Sequence, residues 1–68
     1  MEFLVGMFVY IKLSDFAMKY CNPCFEIKQT LPTVHAYVVQ SPCEYNGVKY
    51  FGNFAIIEDD VKKECVRK

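Results

Sequence analysis

The dipeptide Asn46-Gly47 is the feature of this sequence that most restricts its fold. Asparagine and glycine supply the two positive φ angles of a type I′ turn, which joins neighbouring antiparallel strands through two residues. Segments rich in valine, tyrosine and phenylalanine flank the dipeptide on both sides. The sequence therefore predicts a β-hairpin whose strands occupy residues 34–45 and 48–57.

The predicted turn also sets the register of the hairpin, because a two-residue connection makes the numbers of facing residues sum to 93. Facing pairs would include Tyr45–Val48, Glu44–Lys49, Cys43–Tyr50 and His35–Glu58. Such apolar or opposite-charge pairs each stabilise a sheet by about 0.2–1 kcal/mol. Pro42 cannot donate a backbone hydrogen bond, so we expect a bulge or a sheet edge there.

Two further segments have strand patterns. Residues 2–12 alternate and are apolar on both faces, which is typical of a strand at the centre of a sheet. Residues 25–29 alternate more briefly, and a short helix beginning near Cys24 is the competing interpretation. A helical turn at residues 15–20 would end before Asn22-Pro23.

The last eleven residues carry half of all the charged side chains, with acids first and bases last. This order suits the helix dipole, and Ile57, Val61 and Cys65 would form an apolar stripe. We therefore expect a short helix at residues 59–66. The predicted fold class is α+β, with about four antiparallel strands and this C-terminal helix in a single domain over residues 1–68. A small closed β-barrel is the alternative.

Charge is scarce before residue 58. The chain has eight basic and eight acidic residues and a net charge of zero, and half of them precede that point. So few charges cannot coat the surface evenly, which predicts exposed apolar surface and a protein partner. A homodimer would also cover such a surface. The balanced charge and the missing basic groove argue against nucleic-acid binding.

The tip of the predicted hairpin is the candidate binding surface. Its exposed side chains are predicted to be Tyr45, Val48, Tyr50 and Phe51. Aromatic residues are frequent anchors of protein interfaces. The sequence contains no recognisable catalytic set, so we expect a non-enzymatic inhibitor or adaptor that occludes a partner protein. By analogy, small proteins of this kind are often encoded by phages or other mobile elements.

Cys21 and Cys24 form the one recognisable motif, C-x-x-C. The run Cys21-Asn22-Pro23-Cys24-Phe25-Glu26-Ile27-Lys28 resembles the active-site stretch of thioredoxins and glutaredoxins, where the motif begins a helix. The resemblance implies an exchangeable dithiol at Cys21 and Cys24. Those families also place a helix between their second and third strands, but here the strand at residues 34–40 runs almost directly into the hairpin turn, which leaves no room for one.

A structural zinc ion is the second use of this motif. Cys21 and Cys24 would supply two ligands, and Cys43, Cys65 and His35 are the candidates for the others. Our principal expectation is a protein without a cofactor, since these spacings match no standard zinc knuckle.

The segment before residue 14 suggests where the protein resides. Residues 1–13 lack the basic start and the small-residue cleavage site of a signal peptide and are too short to cross a bilayer. We therefore predict a cytoplasmic protein, whose cysteines would stay reduced or bind metal instead of forming structural disulfides.

Overall fold

The computed structural model describes residues 3–13 and 19–67, which fold around one antiparallel sheet. Its strands are β1 (Phe8–Ile11), β2 (Cys24–Leu31), β3 (Ala36–Tyr45), β4 (Val48–Ile57) and β5 (Val61–Glu64). The strands lie in the order β4-β3-β2-β1-β5. Two 3₁₀ turns, Pro32–Val34 and Glu58–Asp60, connect β2 to β3 and β4 to β5.

The predicted hairpin is confirmed. Asn46 and Gly47 have φ angles of 52° and 77°, as a type I′ turn requires. All ten facing pairs, from Ala36–Ile57 to Tyr45–Val48, sum to 93. The first strand begins two residues later than predicted, because Val34 belongs to a 3₁₀ turn and His35 adopts a left-handed conformation with φ 53°.

The expected bulge at Pro42 is absent from the hairpin, since Pro42 faces Phe51 in unbroken register. Along an antiparallel hairpin, facing pairs that exchange backbone hydrogen bonds alternate with pairs that do not. Tyr45–Val48 is of the first kind, so Pro42–Phe51, three positions away, is of the second. The proline therefore directs its missing N–H away from β4. Its carbonyl oxygen accepts a hydrogen bond from the Asn22 N–H at 3.0 Å on that other side.

The predicted α+β class is wrong, because residues 59–66 do not form a helix. Glu58–Asp60 forms a 3₁₀ turn and β5 follows it, pairing with β1. A helix of about eight residues has little stability of its own, so pairing with an open strand determines the structure here. The sheet has five strands, and it is open, with β4 and β5 at its edges.

The two other predicted strands are present with different bounds. β1 is an interior strand, paired with β2 and β5, but it covers Phe8–Ile11 instead of residues 2–12. The segment 25–29 lies within the longer strand β2, so the alternative of a helix there is wrong. Residues 15–18 of the predicted turn at 15–20 lie outside the described part of the chain.

One face of the sheet carries the core. It consists of Val9, Ile11, Cys21, Phe25, Ile27, Tyr37, Val39, Cys43 and Ile56. Two disulfides, Cys21–Cys43 and Cys24–Cys65, tie the ends of the strands together. None of the helical turns in residues 3–13 and 19–67 has the length and apolarity needed to span a bilayer.

Candidate functional site

The four residues predicted at the hairpin tip are all exposed, and we call them the hairpin patch. The exposed fractions are 43% for Tyr45, 65% for Val48, 38% for Tyr50 and 65% for Phe51. β3 and β4 extend past the end of β2 here, since β2 pairs with β3 only as far as Gln40. Among residues 3–13 and 19–67, the short segment at Cys21 is the part of the chain, besides β4, that pairs with β3 beyond this point.

The hairpin patch divides between the two faces of the hairpin. Tyr45 faces Val48 on the face that carries the core, and Tyr50 lies on this same face opposite Cys43. Phe51 points to the outer face, opposite Pro42. The structure thus brings three of the predicted residues together and places Phe51 on the reverse side.

A groove of about 550 Å³ lies at the hairpin end and is lined by residues from both faces of the hairpin. Its lining residues are Tyr20, Asn22, Pro42, Cys43, Glu44, Lys49, Tyr50 and Phe51. Glu44 faces Lys49 across the hairpin, so one acid and one base lie between apolar walls. Two of the four hairpin-patch residues, Tyr50 and Phe51, contribute to this groove.

Six of the eight lining residues were not predicted from the sequence to bind a partner: Tyr20, Asn22, Pro42, Cys43, Glu44 and Lys49. The bridge between Cys21 and Cys43 brings the first two to β3, where the Cα atoms of the cysteines are 3.9 Å apart. The Tyr20 ring packs edge-on against Tyr45 with 4.9 Å between ring centroids. Tyr20 and Asn22 flank Cys21 in the sequence, which would have predicted their place in the groove only if the Cys21–Cys43 pairing had been known.

The motif cysteines do not pair with each other. Cys21 bonds to Cys43 and Cys24 bonds to Cys65, and all four residues are buried. Cys24 begins strand β2 and not a helix, so the helix start that lowers a thiol pKa in the thioredoxin-like arrangement is missing. The expectation of reduced cysteines is therefore wrong for this structure.

Arg67 covers the place where β2 and β3 separate. Its guanidinium donates hydrogen bonds from Nε and Nη2 to the Cys24 carbonyl oxygen, the former at 3.0 Å. The Arg67 Cζ atom lies 4.7 Å from the centre of the Phe8 ring, above its face. Burial lowers the pKa of Arg67, and the nearby Glu26 carboxylate partly offsets this. The Cys24–Cys65 disulfide holds the chain end in position for these contacts.

His35 lies at the opposite end of the sheet. Its Nδ1 is 3.6 Å from a carboxylate oxygen of Glu58, as the predicted register requires, and its carbonyl accepts a 2.8 Å hydrogen bond from the Glu58 N–H. Among the described residues, no three histidine, cysteine or acidic side chains cluster as metal ligands would. His35 is far from every cysteine along the sheet, so the structure does not assemble the zinc set considered from the sequence.

Comparison with protein-family models, curated proteins and solved structures finds no match to this chain. Its function must therefore be argued from the surface itself.

Proposed function

We propose that this chain is a protein-binding module that occludes a partner protein through the hairpin patch and its groove. The proposed occupant of the groove is an extended segment of the partner that presents apolar side chains to Phe51 and Pro42. The acid–base pair Glu44 and Lys49 would meet backbone or polar groups of that segment. The observation that most supports this proposal is the exposure of Val48 and Phe51, each 65% exposed, at one end of the sheet.

Isolated exposed apolar residues are ordinary, whereas contiguous ones usually have a binding role. Tyr45 and Val48 form one facing pair on the core-bearing face, and Pro42 with Phe51 forms another on the opposite face, three positions further along the hairpin. Tyrosine and phenylalanine contribute large contact area with few rotatable bonds, which favours them as interface anchors. This concentration supports the hairpin end as the interface.

The construction of the hairpin supports binding by a rigid surface. A type I′ turn and an unbroken register define one strand pairing, and Cys43 ties the hairpin to the segment before β2. A surface held in one conformation loses little entropy on association. Such preorganisation suits an inhibitor or adaptor that acts by covering a site, with no chemistry of its own.

The disulfides bear on where the protein acts. Structural disulfides persist in oxidising compartments and are rare in the cytosol. The sequence-based prediction of a cytoplasmic location is therefore replaced in our proposal by an oxidising one, such as an extracellular space. The gain in stability from two cross-links also suits a chain of only 68 residues.

Binding measurements with matched variants test the proposed function. The full chain, with both disulfides formed, is used to capture partners, and each captured protein is purified and titrated by calorimetry. Phe51→Ala and Tyr50→Ala should each weaken binding by about tenfold or more if these residues are anchors. Val34→Ala is the control, because Val34 is 64% exposed but lies in the 3₁₀ turn outside the groove.

The opposite results would overturn the proposal. Equal affinities for the wild-type protein, Phe51→Ala and Tyr50→Ala would show that the hairpin patch is not the interface. A loss of affinity in Val34→Ala as large as that in Phe51→Ala would show non-specific apolar association. The redox alternative predicts instead that catalytic amounts of the protein accelerate disulfide exchange in a model substrate, and that a Cys21→Ser, Cys24→Ser variant does not.

A further inference from the structure

The two edges of the sheet differ in how they are protected. β5 has four residues, Val61–Glu64, and three of them are charged and exposed. Short, charged edges resist pairing with other strands. β4 has ten residues and Lys49 as its one charged side chain. Its length and lack of charge make it the kind of edge that pairs readily with another strand.

The backbone of β4 presents a regular row of hydrogen-bonding groups to solvent. Because Tyr45–Val48 is a hydrogen-bonded pair, the even-numbered residues of β4 direct their N–H and C=O groups to β3. The odd-numbered ones direct them outward, and these are Lys49, Phe51, Asn53, Ala55 and Ile57. Within residues 3–13 and 19–67, no strand lies beyond β4.

The side chains of those same five residues point to the outer face and are all exposed. We propose that β4 pairs antiparallel with β4 of a second copy of this chain, with Asn53 on the two-fold axis. The residue numbers of any two facing residues across the interface then add up to 106. The two sheets become one continuous sheet of ten strands. The outward backbone groups from 49 to 57 pair across the interface, and the Phe51 carbonyl exchanges its 3.5 Å hydrogen bond from Asn53 Nδ2 for one from the other chain.

We infer a second copy of this chain as the occupant of the β4 edge because β4 is complementary to itself when it pairs antiparallel. Centring on Asn53 overlaps nearly the whole length of β4 and places the Phe51 ring beside the small Ala55 of the other chain. Lys49 faces Ile57 of the other copy, with that copy's Asp59 two residues further on. Asp59 belongs to the acidic 3₁₀ turn Glu58–Asp60 that follows β4 directly, so opposite charges would lie near each other at both ends of the interface. The central Asn53 side chains face each other.

This inference goes beyond the proposed function. The two surfaces share Phe51 and Lys49, but Asn53 at the axis lies outside the hairpin patch and its groove, so variants of Asn53 test the dimer separately. A dimer of this form would also display two hairpin patches at positions related by the two-fold axis. A partner with two equivalent sites would then bind more tightly to the dimer than to either copy alone.

Sedimentation analysis of the full oxidised chain tests the dimer with two variants of one residue. Asn53→Pro removes the outward N–H at the axis and should weaken dimerisation by at least about tenfold, whereas a proline at a solvent-facing edge position is tolerated in the monomer. Asn53→Ala is the control, because it removes the same side chain and its hydrogen bond from Gln40 but keeps the N–H.

A second test does not depend on the proline variant folding. Lys49→Glu should weaken the dimer by bringing like charges together, and Lys49→Glu with Asp59→Lys should restore it. Amide exchange adds a backbone measurement: the Phe51, Asn53 and Ala55 amides should become protected as concentration rises, while amides that face β3 are protected at every concentration.

Three results would overturn the inference. One is a 7.9 kDa monomer at all concentrations up to about 1 mM. Another is a dimer that survives both Asn53→Pro and Lys49→Glu. The third is exchange of the outward amides that does not change with concentration.

Discussion

The Ser41 hydroxyl donates a 2.6 Å hydrogen bond to the carbonyl oxygen of Asn22. In a regular antiparallel ladder that oxygen would accept from the N–H of residue 42, which is a proline here. Ser41 is fully buried, and its hydroxyl replaces the missing donor. The serine thus allows Pro42 to remain in the strand without a bulge.

Removal of this hydroxyl should destabilise the fold. We expect Ser41→Ala to lower the free energy of unfolding by about 1–3 kcal/mol, because it leaves the Asn22 carbonyl without its donor. Thr33→Ala, on an exposed turn residue, should change it by less than about 0.5 kcal/mol. Denaturant unfolding followed by circular dichroism measures both. Equal stabilities of the two variants would contradict the role assigned to Ser41.

The two disulfides should be unequal in their effect on stability. Their cysteines are 22 and 41 residues apart, and loop closure predicts contributions of about 3 and 4 kcal/mol, respectively. Replacing Cys24 and Cys65 by serine should therefore cost more than replacing Cys21 and Cys43. It also releases the chain end that carries Arg67. Thermal unfolding of the two double variants measures the order, and the reverse order would count against this account.

Arg67 should stabilise the protein through both its hydrogen bonds and its contact with Phe8. We expect Arg67→Ala to cost about 1.5–3 kcal/mol, since the lost bonds are charge-assisted. Arg67→Lys should recover only part of this, because an ammonium cannot match the planar fork of the guanidinium. Lys63→Ala is the control, as its ammonium also lies over an aromatic ring, 5.8 Å from the centre of Tyr10, but is exposed. Its loss should cost about 0.5–1 kcal/mol at most.

Gly52 should not tolerate a side chain while the Cys21–Cys43 disulfide is present. A Cβ at residue 52 would lie 2.8 Å from the Cys43 sulfur and 3.1 Å from the Phe54 ring. We expect Gly52→Ala to cost about 1–3 kcal/mol through overpacking. In a protein with alanine at residues 21 and 43 the sulfurs are gone, so the same change should cost less. A double-mutant cycle measures this coupling, and additive effects would show that the sulfur is not the obstacle.

The exposure of the hairpin tip could be anticipated from the sequence, because a two-residue turn places its neighbours at the end of the sheet. The groove beside Phe51 could not, because Tyr20 and Asn22 reach it through a disulfide between residues distant in the chain. The same holds for Arg67, whose last position in the described chain gives no sign of contact with Phe8. Pairings over such separations depend on the whole fold and leave little periodic signal.

The sequence by itself determined the hairpin: Asn46-Gly47 selects a turn with two positive φ angles, and a side-chain period of two then sets every facing pair from Ala36–Ile57 to Tyr45–Val48. Only the tertiary structure decided that residues 61–64 are a strand. Their charges and apolar spacing suit a helix locally, but the open edge of β1 offers them backbone hydrogen bonds that a short isolated helix cannot match. The cysteine pairing was decided in the same way, since the strand order brings Cys43 to Cys21 and Cys65 to Cys24.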